Sequence, residues 1–291
     1  MAVLSLCSSV LSCSVLRFGS YSGPVTDHYD GSRFYNIEPV EEKSFWQVLK
    51  WRMTREDPAW PERVENKKFL RPKAWDDEKS SGFTLVGHST VLIKLGSTFI
   101  LTDPHFSKRA SPFSFGGSKR VRDPAVPFDK LPKIDLVLLS HNHYDHFDLK
   151  TLRRLKKHSN PLFIAGLGHS ELFNDCEITR YKEYDWWQTY KAKDIEISFV
   201  PVRHFSTRGL FDEKKALWGG FYIKSSGKKS LFFAGDTGYG GHFKIIRQKL
   251  GSPEISFMPI GAYKPRYFMK DVHTNPYEAV LAHLDLGAKE T

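Results

Sequence analysis

Cysteine is nearly missing from the 291 residues: there are three, and with Cys7 and Cys13 in the apolar start, Cys176 is alone in the body. One thiol closes no internal bridge, so a disulfide-stapled fold is excluded and Cys176 reads as inert. No membrane-length apolar run stands out either. The uncharged stretch 2–16 (AVLSLCSSVLSCSVL) falls short of the ~20 residues that span a bilayer. Its length suits a signal-peptide core, yet no Lys or Arg precedes it, and Val10-Leu11-Ser12-Cys13 matches a lipoprotein cleavage box only loosely. It reads equally as an exported or lipid-anchored start, a buried N-terminal segment or a mis-called start codon. The first reading makes the protein exported or membrane-associated; otherwise it is expected to be cytoplasmic. There is no internal repeat, no low-complexity tract and no G-x-S-x-G to supply a serine nucleophile.

What is present supports a sizeable core, with 40% apolar and 14% aromatic residues. Basic residues outnumber acidic ones by 43 to 33, for a net charge of +10. That balance favours anionic partners, and it reads as readily as a diffuse basic surface. No stacking-and-basic groove signature accompanies it, so nucleic acid is not an expected partner.

The organisation suggests an apolar segment (1–16), a polar N-terminal arm (17–81) and one large domain (82–291). In the arm, 44–53 reads as a short helix capped by Ser44, and Pro58, Pro61 and Pro72 keep the rest irregular. Three apolar runs, 83–86, 91–95 and 98–101, predict a β-meander. A long polar insertion, 105–130, follows; such a loop is usually functional or disordered. Then α/β alternation begins, with strands at 134–139, 161–165 and 195–200 and helices at 149–157 and 168–174. A strand pair, 218–224 and 230–233, turns around Gly227. A helix at 242–250, a strand at 255–260 and a helix from Asn275-Pro276 to Leu286 with Gly287 as its cap complete the pattern. A further strand is expected next, where the sequence stops at Thr291.

The chemistry concentrates in His141-Asn142-His143-Tyr144-Asp145-His146, directly after the apolar run 134–139. Imidazole and carboxylate suit zinc-like ions, and catalytic sites keep one position open for water. In an extended segment, residues two apart share a face, so His141 and His143 can grip one ion. A turn after them would aim Asp145 and His146 at a second. A histidine-rich surface loop is the bland alternative. Against it stands the position at a strand's C-terminal end, where α/β sheets place their sites. Two later residues repeat that context: His204 after 195–200 and Asp236 after 230–233. Alone, His204 would read as an ordinary histidine and Asp236 as a turn residue; their ordered recurrence raises both.

The HxHxDH run, His204 and the Gly-Asp-Thr around Asp236 together resemble the metallo-β-lactamase superfamily, over roughly residues 82–291. The resemblance implies an α/β fold, an αββα sandwich, with two Zn2+ at one edge. It implies that His141, His143 and His204 hold the first ion, that Asp145 and His146 hold the second, and that Asp236 bridges them. More narrowly, Pro24-Val25-Thr26-Asp27-His28-Tyr29-Asp30-Gly31, Gly87-His88-Ser89-Thr90, Thr102-Asp103-Pro104, Ser111-Pro112-Phe113-Ser114-Phe115 and Pro259-Ile260-Gly261-Ala262-Tyr263 with Arg266 resemble the N-acyl-phosphatidylethanolamine-hydrolysing phospholipase D group. The same motifs are compatible with relatives that act on other substrates, such as sugar lactones.

The implied reaction is phosphodiester hydrolysis releasing an N-acylethanolamine and phosphatidic acid. Two cations about 3.5–4 Å apart would lower the pKa of a shared water and clamp a phosphoryl oxygen. Asp145 would ligate and orient that water, and Asp103 is the candidate acceptor behind a metal histidine. The family pattern carries one more histidine, on the strand expected past Thr291. Its place leaves three readings: a fragment, a weakened second site, or a replacement such as His273. The resemblance sets His273 beside the active site, as a candidate catalytic residue; it reads as readily as the flank of the last helix. Tyr263, Arg266 and Met269 are candidate substrate-binding residues. The insertion 106–122 and Trp186-Trp187 could meet a phospholipid or its membrane, although aromatic pairs are more often core. A lactonase or nucleic-acid phosphodiesterase on the same metals, and a metal-poor binding protein, are the alternatives.

Overall fold

The computed structural model describes residues 20–41, 43–54, 60–113, 115–192, 194–209, 211–226 and 229–291. The apolar segment 1–16, Pro58, Ser114 and Gly227 lie outside the described residues.

Helix α1 (Phe45–Thr54) opens the regular structure. As expected, Ser44 caps it: Ser44 Oγ accepts from Gln47 N at 3.3 Å, and Gln47 Oε1 accepts from Ser44 N at 2.7 Å. The meander is β1 (Ser81–Gly87), β2 (Thr90–Leu95) and β3 (Thr98–Thr102). The insertion folds a two-stranded ribbon, β4 (Arg109–Ala110) with β5 (Ser118–Lys119). It is therefore not a disordered loop over its described residues. Asp148 accepts from Ser107 N and Ser107 Oγ, both at 2.9 Å, tying the insertion to the domain.

Then come β6 (Leu136–Leu139), α2 (Leu149–Ser159), β7 (Leu162–Gly166), α3 (Ser170–Asp175), β8 (Tyr181–Tyr184), β9 (Thr189–Ala192) and β10 (Ile195–Val200). The chain closes with β11 (Gly220–Ser225), β12 (Ser230–Phe233), α4 (His242–Leu250), β13 (Ile255–Phe257), α5 (Arg266–Met269) and α6 (Pro276–Leu286).

Two sheets carry the domain, in the orders β1-β2-β3-β6-β7-β8 and β13-β12-β11-β10-β9. The first is antiparallel through β3 and parallel from β3 to β8. The period-2 alternation of β6 explains the layering. Leu136 and Leu138 join the inter-sheet core with Ile197, Phe199, Phe221 and Ile223. Val137 and Leu139 face the other way and pack with Leu152 and Leu155 of α2 and Phe173 of α3. On the outer face of the second sheet, Phe232 meets Phe243 of α4, and α4 packs on α6. The result is the expected αββα sandwich.

Two expectations need correction. Trp218 and Gly219 precede β11 instead of belonging to it, and the Trp218 indole N–H reaches Val202 O at 3.1 Å. The predicted strand 255–260 ends at Phe257, just before Pro259, which has no N–H for a ladder. Past α6, Glu290 pairs in parallel with Ile255, so the chain runs along the outer edge of β13. Among the described residues no helix is long and apolar enough to cross a membrane.

Candidate metal centre

The C-terminal ends of β3 and β6 in one sheet and of β10 and β12 in the other deliver Asp103, the His141–His146 run, His204 and Asp236 to one edge of the sandwich. His141 Nε2 lies 2.9 Å from His143 Nδ1, and His204 Nε2 lies 3.3 Å from that same atom. The three ligand atoms stand within 4.8 Å of one another. A second group joins His88, Asp145 and His146, and a third joins His204, Asp236 and His273, at the same spacing. Asp236 stands between the groups: its Oδ2 is 3.3 Å from His146 Nε2, 3.9 Å from His204 Nε2 and 3.8 Å from His273 Nδ1. All the sequence-predicted ligands are thus gathered in one place, with His273 at their edge.

The rings are fixed from behind. Val272 O can only accept, so His204 Nδ1 donates to it at 3.0 Å and the Nε2 lone pair faces the cluster. Asp103 accepts from His146 Nδ1 at 2.7 Å, from Ser140 N at 2.8 Å and from Ser140 Oγ at 2.6 Å. Having given its proton to Asp103, Ser140 Oγ accepts from His141 Nδ1 at 2.8 Å. The expected acceptor behind a metal histidine is therefore present, and through Ser140 it governs two rings. Arg208 braces the loop itself: its Nη1 donates to Asn142 O at 2.7 Å and Phe147 O at 2.9 Å, with the guanidinium 4.0 Å from the Tyr144 ring centroid.

The electrostatics fit a cation. Burial holds His141 and His204 well below the usual histidine range and brings His143 down to about 4. Three neutral nitrogens facing one another have too few protons to share. Burial alone would lower His146 too, but Asp236, Asp145 and Asp103 push it well above its ordinary value. Burial would raise Asp236, yet His146 and His204 hold it well below. His146 Nε2 is sealed from solvent and makes no hydrogen bond. The set is thus an array of imidazole lone pairs beside concentrated carboxylate charge, a donor set suited to zinc-like ions.

Comparison with known proteins agrees. The beta-lactamase superfamily domain matches residues 98–291. The chain belongs to the beta-lactamase superfamily. Superfamily members close to it include N-acyl-phosphatidylethanolamine-hydrolyzing phospholipase D 1 of Caenorhabditis elegans, 36% identical over 219 residues, 72% of this chain and 61% of that protein. The mitochondrial N-acyl-phosphatidylethanolamine-hydrolyzing phospholipase D of Saccharomyces cerevisiae is 34% identical over 265 residues, 89% of this chain and 54% of that one. The chain therefore spans between half and two thirds of each of these relatives. Among solved structures, the metallo hydrolase Igni18 of Ignicoccus hospitalis shares the fold, with a TM-score of 0.53 and 20% identity over 72% of this chain and 79% of that one.

The sequence reading missed His88 as a site residue. It sits at φ 51° in the turn between β1 and β2, with Nε2 2.9 Å from Asp145 Oδ2. His88 stands within the Gly87-His88-Ser89-Thr90 motif, but nothing in its spacing points to Asp145, and only the fold brings the two together. The substrate candidates part ways. Arg266 is committed to structure: its Nη2 holds both Glu278 carboxylate oxygens at 2.7 and 2.8 Å, and its Nη1 donates to His273 O at 2.9 Å. Tyr263 and Met269 are half-buried beside it. Trp186 is core, donating from Nε1 to Trp218 O at 2.8 Å.

Proposed function

We propose that this protein is a zinc-dependent phosphodiesterase of phospholipase D type, hydrolysing N-acyl-phosphatidylethanolamine to an N-acylethanolamine and phosphatidic acid. The observation that carries the reading is a paired metal-type donor set in a chain 36% and 34% identical to two proteins named for that reaction. His141, His143 and His204 would hold one cation, Asp145 and His146 another, and Asp236 would serve both. Bound cations would supply a polarised phosphoryl oxygen and a water of lowered pKa. The chain's own residues do the rest. Asp145, steadied by His88, orients the attacking water. Asp103 and Ser140 keep His141 and His146 in register. His273, beside Asp236, is placed to manage the proton of the leaving alcohol.

A lipid substrate also suits the surface near α5. Trp51 of α1 stacks on Phe268 at 4.9 Å, while Trp46, Met53, Ile260 and Tyr267 are exposed. Amphipathic aromatics of this kind favour a lipid–water interface, and this supports peripheral membrane contact. The test is turnover by the purified protein on vesicles of N-acyl-phosphatidylethanolamine, beside a lactone and an RNA. Phosphatidic acid and N-acylethanolamine are expected, and both should vanish on chelation and in His143→Ala. Activity that survives either treatment, or preferential cleavage of the lactone or RNA, would overturn the reading.

A further inference from the structure

The superfamily match begins at residue 98, yet the arm that precedes it reaches into the centre. Asn36 brackets the backbone of His204. Its Nδ2 donates to His204 O at 2.9 Å, and its Oδ1 accepts from His204 N at 3.0 Å and from Trp218 Nε1 at 3.0 Å. The amide orientation is forced, because a backbone N–H only donates and a carbonyl only accepts. Two residues on, Glu38 Oε1 accepts from Gly241 N at 2.7 Å, at the start of α4 just past Asp236 and Thr237. Pro39 O accepts from Arg203 Nη2 at 3.0 Å, and Arg203 Nη2 also meets Asp271 at 3.2 Å.

The bracket is rigid because its base is buried. Phe34 is 0% exposed and Tyr29 1%, both within the inter-sheet core. Phe34 N donates to Lys214 O at 2.8 Å, which fixes the chain just before Asn36. His204 is therefore held twice. Val272 O sets its ring tautomer, and Asn36 sets the backbone from which the ring projects.

We infer that Asn36 is a positioning residue of the metal centre, and that the arm is a working part of the site. The inference rests on the metal-centre reading given above. A ligand held through its backbone by a side-chain amide is pre-aimed before any cation arrives. Partners of this kind typically cost ten- to a hundred-fold in metal affinity when removed. Asn is the residue the geometry asks for. Ala makes neither bond, and Asp cannot donate to the His204 carbonyl.

The experiment titrates the metal-free full chain with Co2+ alone, against a competing chelator, and reads affinity and visible absorption. Asn36→Ala is expected to weaken cobalt binding ten- to a hundred-fold and to change the absorption bands. Asn36→Asp, nearly isosteric, serves if the alanine variant does not fold, and a clear loss is expected there too. The control is Asp30→Ala. Asp30 Oδ1 accepts from Ser32 N and Arg33 N at 2.7 Å, so its loss loosens the same arm away from His204. The control should bind cobalt as the parent does. Wild-type affinity and spectrum in both Asn36 variants would overturn the inference, as would an equal loss in Asp30→Ala. A parent protein that binds no cobalt would instead overturn the metal-centre reading on which it rests.

Discussion

Asp103 couples the end of β3 to two imidazoles it helps to aim. It is fully buried and accepts three hydrogen bonds, two from Ser140 and one from His146. Asparagine in its place would keep the volume but offer a single acceptor oxygen, and its amide N–H would confront another donor. Asp103→Asn is therefore expected to lower cation affinity by about ten- to a hundred-fold through His146 and Ser140. Zinc titration under a competing chelator reads this directly, and unchanged affinity would reduce Asp103 to a spacer. The site's chemistry was legible at this scale wherever a residue type carries its own signal. His141, His143, Asp145 and His146 announce themselves by spacing, and His204 and Asp236 by recurring after apolar runs. Asn36 and His88 do not. A single asparagine in a polar arm, or a single histidine in a turn, acquires meaning only from what the fold sets against it.

Among the elements, α6 shows how a helix start can serve a site. Asn275 Oδ1 accepts from Glu278 N at 2.8 Å, and Glu278 Oε2 accepts from Asn275 N at 3.0 Å, a reciprocal cap. The same Glu278 carboxylate takes both bonds from Arg266, which in turn supports His273 O. Glu278→Ala removes half the cap and strands a partly buried guanidinium. It should cost about 1–3 kcal/mol, read as a lower urea midpoint at unchanged slope, with Glu278→Gln losing less because its amide oxygen can still accept from Asn275. The elements readable from sequence were those with strong local signals: the Asn275-Pro276 start and Gly287 end of α6, the full span of α4, the buried run of β6. Strands β8 (YKEY) and β9 (TYKA) escaped notice. Both are sheet edges with mostly half-exposed residues, so neither an apolar run nor a clean alternation marks them. β8 takes its pairing from β7 across the intervening α3, Tyr181 facing Phe163, whereas β9 turns straight back on β10, Ala192 facing Ile195.

For the molecule as a whole, the arm is held to the domain at more than the Asn36 bracket, and one hold depends on pH. The His28 ring stacks on Trp186 at 4.5 Å, with Nδ1 2.5 Å from Asp27 Oδ1 and Nε2 2.7 Å from Asp185 Oδ1. Carboxylates only accept, so both nitrogens bear protons and the ring is an imidazolium. Burial by itself would lower the His28 pKa; the hydrogen bonds and charges of Asp185 and Asp27 outweigh it and raise the value above 6.5. A folded-state pKa raised above the unfolded one contributes stability that is complete below the unfolded value of about 6.5 and is lost as pH climbs through the folded one. Between pH 5.5 and pH 9 the melting temperature of the parent should therefore fall toward that of His28→Gln, the gap being widest in acid. Differential scanning calorimetry on both proteins across that range tests it. A gap that stays constant would mean that His28 fastens the arm by stacking on Trp186 alone, with its charge contributing nothing.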